Sequence, residues 1–88
     1  MLTLFFHPFS SYCQKVLIAL YENGTAFEGR ILGPDDPAAM DELRAMWPIG
    51  KFPLLVDDGA PVIEASVIIE HLALRHPGPV ALLPADPA

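Results

Sequence analysis

Apolar residues come in short runs, each cut off by proline, glycine or small polar residues. Leu2 to Phe6 is an apolar run of strand length. His7-Pro8-Phe9-Ser10 ends it, because proline disfavours helical backbone at the residue before it. From about Ser11 to Asn23 the apolar positions change period: Cys13, Val16, Leu17 and Leu20 recur at helical spacing, and Gly24 fits the stop. Thr25 to Ile31 predicts a second strand, with Ala26, Glu28 and Arg30 alternating against Phe27, Gly29 and Ile31. Strand, helix and strand in so short a stretch predict a right-handed βαβ unit with parallel strands.

Gly33-Pro34-Asp35-Asp36-Pro37 reads as a loop. Asp36 is placed to cap a second helix with Pro37 at its first position. Met40, Leu43 and Met46 or Trp47 are expected on the inner face of that helix. Leu54-Leu55-Val56-Asp57, a turn at Asp58-Gly59, and Pro61-Val62-Ile63-Glu64 form a β-hairpin signal. Val67-Ile68-Ile69 is strand-like by propensity. Ile68, Leu72 and Arg75 nonetheless keep helical spacing, and the stretch from about Ala65 to Arg75 exceeds the usual length of a strand. It is therefore read as a helix. The order β-α-β-α-β-β-α predicts an α/β, thioredoxin-like fold with a four-stranded mixed sheet. Residues 1–76 are read as the domain. Residues 77–88, with Pro77, Pro79, Pro84 and Pro87, are read as an extended linker.

Composition narrows the class. The chain has 88 residues, enough for one modest core, and 52% are hydrophobic. The net charge of −6 disfavours binding to a phosphate backbone, so no nucleic-acid partner is expected. No apolar run approaches the roughly 20 residues of a membrane span. Met1 to Phe6 lacks the basic region of a signal peptide. Cys13 is the single cysteine, which excludes an internal disulfide and fits a reducing cytoplasm.

Candidate chemistry falls in three loops where a strand meets a helix or another strand, and together they predict a pocket for a small, extended, charged peptide. The first is Ser10-Ser11-Tyr12-Cys13. Helix N-terminal amides favour an anion, and a thiolate held there is stabilised. Ser10 is placed either to donate its hydroxyl to such a sulfur or simply to cap the helix. Cys13 points along the Val16 and Leu17 face and reads as a buried small hydrophobe. The second loop is Phe52-Pro53. A cis bond there would leave the Phe52 backbone free to pair with an extended peptide; the alternative is an ordinary proline entering an edge strand. In the third loop Glu64 can receive an ammonium group, and the N–H groups of Ala65 and Ser66 a carboxylate, as an amino-acid head group requires. Alternatively, Glu64 only complements the helix dipole. Trp47 either packs or lines the pocket. Lys15 and Arg75 read as solvated, and Met40 and Met46 as core. His7, His71 and His76 are not read as a metal set, since a spacing of five puts His71 and His76 on different faces of a helix and no second cysteine exists.

Nearly the whole chain resembles the N-terminal, thioredoxin-like domain of the glutathione S-transferase family. Ser10-Ser11-Tyr12-Cys13-Gln14-Lys15-Val16 resembles its active-site loop, Trp47 to Asp57 its cis-proline segment, and Glu64-Ala65-Ser66-Val67-Ile68 its Glu-Ser-x-x-Ile segment. The resemblance implies that glutathione is the co-substrate; no metal is expected, on the histidine spacing and the single cysteine given above. Ser10 then takes the place of the catalytic serine, tyrosine or cysteine, with Ser11 as a second possible hydroxyl donor. Phe52 with cis Pro53 pairs with the cysteinyl backbone. Glu64 and the start of the third helix, at Ala65, take the γ-glutamyl head. Alanine at 65, where the family often has serine, removes one hydroxyl contact.

On this resemblance the chain is a glutathione transferase domain whose bound thiolate attacks a small electrophile. The family usually carries a second, helical domain that supplies the electrophile pocket and much of a homodimer contact, and residues 77–88 lead toward it. Two alternatives stand beside this reading. One is a glutaredoxin-like thiol oxidoreductase using Cys13 or glutathione. The other is a non-catalytic binding or assembly module.

Overall fold

The computed structural model describes residues 1–79 and residue 82. The elements are β1 (Leu2–Phe6), α1 (Ser11–Glu22), β2 (Glu28–Ile31), α2 (Pro37–Met46), β3 (Leu54–Asp57), β4 (Ala60–Ile63) and α3 (Ala65–Arg75). They build one four-stranded mixed sheet in the order β2-β1-β3-β4. β1 and β2 are parallel, with Thr3 opposite Glu28. β3 runs antiparallel to β1, and β4 antiparallel to β3. This is the thioredoxin-like α/β arrangement expected from the order of elements.

Strand alternation splits the core into two layers. Leu2, Leu4 and Leu55 meet Val16, Leu20, Ile68 and Leu72 on the face covered by α1 and α3. Phe5 and Leu54 meet Leu32, Ala39 and Leu43 on the face covered by α2. The strand-like Val67-Ile68-Ile69 is helical because Ile68 and Leu72 together bury one stripe of α3 against the sheet.

Three local expectations change in detail. The second strand starts at Glu28 rather than Thr25, because the Thr25 N–H is used at the end of α1, donating to Leu20 O at 3.0 Å. The inner face of α2 is Ala39 and Leu43, with Met40 and Met46 partly buried beside them. Of the segment expected to be a linker, residues 80, 81 and 83–88 lie outside the described residues, while Leu82 packs against the larger core.

The hairpin follows its turn chemistry. Asp58 (φ 48°) and Gly59 (φ 86°) both take positive φ, as a two-residue type I′ turn requires. Pro61 is tolerated because β4 is an edge strand. Arg30 of β2 pairs with Glu42 and lies 3.6 Å from Asp36, tying the other sheet edge to α2.

Candidate functional site

The sheet brings three chain segments to one end of the molecule. They are the β1–α1 junction, the loop before β3 and the β4–α3 junction. Between them lies a cavity of about 930 Å³, bordered by Phe52, Pro53, Glu64, Ala65 and Ser66. Four of the residues singled out in the sequence, Phe52, Pro53, Glu64 and Ala65, thus meet in one place. The volume lies in the range of small-ligand pockets.

The segment before β3 is shaped by Gly50, whose φ of 73° favours glycine, and whose N–H donates to Trp47 O at 2.8 Å. That turn presents Lys51 and Phe52 to the cavity. The Phe52–Pro53 peptide is cis. Among the described residues, the Phe52 backbone makes no backbone–backbone hydrogen bond, so it is open to an extended peptide. The Phe52 ring stacks on His7 with centroids 6.1 Å apart. Phe52 also borders a second cleft of about 440 Å³, shared with His7, Met40 and Arg44.

The three helix starts differ. α1 is capped by Ser10, whose Oγ accepts from the Cys13 N–H at 3.4 Å. α2 is capped by Asp36, which accepts from the Ala39 N–H at 3.3 Å. α3 has no side-chain cap, although its first turn borders the cavity. Its leading N–H groups are therefore left for solvent or an anion. Glu64, at the cap position, has φ 70° and ψ 133°. A non-glycine residue there carries strain of about 1–3 kcal/mol, of the kind that collects at binding sites. Nothing in the sequence signals that backbone conformation.

Ser10 does not border the cavity. It sits at the N-cap of α1, two residues before Tyr12, which does. Its oxygen is engaged by the long Cys13 contact, while the hydroxyl proton is left to donate elsewhere. Ser11 is exposed, and Cys13 is fully buried. Trp47, which the sequence left open, borders the cavity.

Lys15, read as solvated and indeed exposed, and Lys51, which the sequence reading passed over, both stand at the cavity. They are the only two lysines of a chain with net charge −6. Lys15 Nζ lies 5.6 Å from the Tyr12 ring centroid. Lysines so scarce in an acidic chain were the available signal.

One premise of the histidine reading changes: His71 and His76 do not diverge. His71 and His76 both reach Asp57, with Nε2 of each 2.7 Å from the same Oδ2. A helical wheel does not apply to His76, because it lies past α3 as its C-cap, with φ −133° and ψ 57°. Hydrogen bonds from His76 and then His71 hold the Asp57 carboxyl below the usual carboxylate range.

Among the described residues, no helix is long and apolar enough to cross a membrane. Similarity to known proteins agrees with the geometry. The Glutathione S-transferase, N-terminal domain family matches residues 4–80. A stringent starvation protein A homolog from Pasteurella multocida is 34% identical over 86 residues, covering 98% of this chain and 39% of that protein. A glutathione S-transferase from Methylobacterium radiotolerans, solved in complex with glutathione sulfonate, is 39% identical with a TM-score of 0.80, covering 98% of this chain and 40% of that one. Rice GST1 in complex with glutathione is 34% identical with a TM-score of 0.81, covering 96% of this chain and 36% of that one. The chain thus spans about two fifths of the length of these relatives. With the sheet order, the three converging segments and this match in agreement, the chain belongs to the glutathione S-transferase N-terminal domain family.

Proposed function

We propose that this domain binds glutathione in the 930 Å³ cavity and stabilises its thiolate for attack on a small electrophile. The observation that carries the reading is the uncapped start of α3, beside the Glu64 carboxylate and facing the cavity. An amino-acid head group carries an ammonium and a carboxylate side by side. Glu64 receives the first, and the amides of Ala65 and Ser66 receive the second. The open Phe52 backbone pairs with the cysteinyl unit as an added strand. Lys15 and Lys51 offset the remaining negative charge of the tripeptide.

Extended along this path, the cysteinyl sulfur comes to the N-terminus of α1. Ser10 donates its hydroxyl hydrogen bond there, and the helix dipole adds to it. The thiol proton leaves to solvent. The thiolate then forms a carbon–sulfur bond while the electrophile's leaving group departs with its bonding pair, or, in an addition, while the π pair of an activated double bond shifts to the neighbouring carbon and is protonated from solvent. Residues 1–76 act as the glutathione-binding unit. Residues 77–88 lead to a helical domain that supplies the electrophile pocket and contacts for a homodimer, and the protein acts in the cytoplasm.

The non-catalytic module is favoured by one observation: Ser10 caps α1 and does not border the cavity. The glutaredoxin-like reading is opposed by the burial of Cys13. Ultraviolet absorbance of the thiolate in bound glutathione, followed against pH, separates these readings. A depressed thiol pKa that reverts in Ser10→Ala supports the transferase. An ordinary thiol pKa in the wild-type complex sinks it in favour of the module.

A further inference from the structure

We propose that Asp57, His71 and His76 form a binding site for one divalent metal ion of the zinc class. The site goes beyond the glutathione reading and does not depend on it. It lies at the opposite end of the sheet from the β1–α1 junction, since Asp57 is paired with Leu2 at the start of β1. α3 joins the two regions. Its first turn borders the glutathione cavity, His71 lies six residues past Ala65, about 9 Å along the axis, and His76 caps the far end, about 16 Å along.

The donor set is two imidazoles and one carboxylate, the set that suits zinc and its neighbours and leaves a position open to water. One ligand atom from each residue lies within 4.8 Å of the others. The two Nε2 atoms each sit 2.7 Å from Asp57 Oδ2. Ligand atoms around tetrahedral zinc stand about 3.3 Å apart, given bonds of about 2.0–2.1 Å. Each imidazole–carboxylate pair therefore opens by only a fraction of an ångström to admit the ion.

The donors are held by backbone hydrogen bonding. Asp57 ends β3 and is paired with both Leu2 and Ala60. His71 is inside α3, and the His76 N–H donates to Leu72 O at 2.9 Å. The side chains are partly open, with 24%, 32% and 15% of the surface of His71, His76 and Asp57 exposed, so an ion and its water can enter. The nearby ammonium of Met1 is paired with Asp58, at 2.6 Å, rather than with Asp57. Coordination through Nε2 displaces any proton on that nitrogen: a neutral ring then carries its single proton on Nδ1, moved there through solvent where it began on Nε2, and a charged ring releases one proton to solvent.

The test uses the chain freed of affinity-tag histidines and of metal, titrated calorimetrically with a zinc salt. One ion per chain is expected, with affinity lowered by at least about tenfold in His76→Ala and in Asp57→Asn, and unchanged in His7→Ala. His76 lies outside the helix, so its replacement leaves α3 intact. A second measurement needs no variant: in the wild-type chain with ¹⁵N-labelled histidine, zinc should shift the Nε2 signals of two rings and leave the third in place. Absence of saturable binding, zinc affinity that survives His76→Ala undiminished, or zinc that moves no pair of ring signals overturns the proposal.

Discussion

The carbonyl of Glu64 accepts the first hydrogen bond of α3 from the Ile68 N–H at 2.9 Å, while the Glu64 side chain caps nothing. The residue starts the helix through its backbone alone and leaves its carboxylate for the cavity. Its φ of 70° is the cost of that placement. Replacement by alanine keeps the strain and removes the carboxylate, whereas glycine relieves both. Glu64→Gly should therefore be more stable than Glu64→Ala by about 1 kcal/mol or more in urea unfolding, with both losing glutathione affinity to a similar degree. Equal stability of the two variants would remove the case for strain at this position.

Ser10 has two assigned tasks, and they can be separated. As a cap it accepts from Cys13 at 3.4 Å, a long contact that places its contribution near the low end of the roughly 0.5–2 kcal/mol usual for caps. Ser10→Asn retains a capping oxygen but replaces the hydroxyl. Its stability should stay close to wild type, while Ser10→Ala loses about 0.5–1 kcal/mol. If the hydroxyl holds the thiolate, both variants raise the thiol pKa of bound glutathione, irrespective of stability. A thiol pKa that follows stability instead of the hydroxyl would show that Ser10 is only a cap.

Lys15 and Lys51 supply the positive charge that borders the cavity. Both are exposed, so each contribution is small and screened by salt. Lys51→Ala should weaken glutathione binding by roughly 0.5–1 kcal/mol, about two- to fivefold, at low ionic strength. The difference from wild type should shrink as salt is added. Calorimetry at two salt concentrations checks this, and a deficit that persists at high salt would point to packing rather than charge.

The parts of the fold legible in the sequence are those set by local chemistry. Asp36 and Pro37 start α2 where cap and N1 preferences place them. Asp58-Gly59 turns the hairpin because both residues accept positive φ. Ala65–Arg75 is helical because its apolar stripe outweighs the β propensity of Val67-Ile68-Ile69. What was not legible depends on distant partners. Thr25 was read into a strand, but its N–H closes α1. Ala39, rather than Met40, joins Leu43 on the buried face of α2, since the fit to Leu54 and Phe5 decides which side chain is buried. At the candidate site, Phe52, Pro53, Glu64 and Ala65 converge because each lies at a junction of regular elements, where the topology fixes direction. Ser10, by contrast, has one oxygen and two plausible uses, and position along the chain cannot choose between them. His71 and His76 escaped because a helical wheel assumes the helix continues through both.

Acid should expose the clasp at Asp57 in the metal-free chain. The carboxyl is held below its ordinary range mainly by hydrogen bonding to His76 and next by His71, with partial burial acting in the opposite direction. The unfolded chain has a carboxyl near the usual value of about 3.9 and so takes up a proton first as pH falls. The resulting stabilisation is complete above that value. It is lost progressively as pH drops from there through the depressed folded pKa. Unfolding free energy, measured with a chelator present between about pH 6 and pH 3, should therefore fall more steeply in the wild-type chain than in Asp57→Asn, whose amide does not titrate. The neighbouring Asp58, paired with the Met1 ammonium, remains in both proteins, so its titration does not contribute to the difference. Parallel acid profiles in the two chains would mean that the bonds from His71 and His76 to Asp57 do not persist in solution.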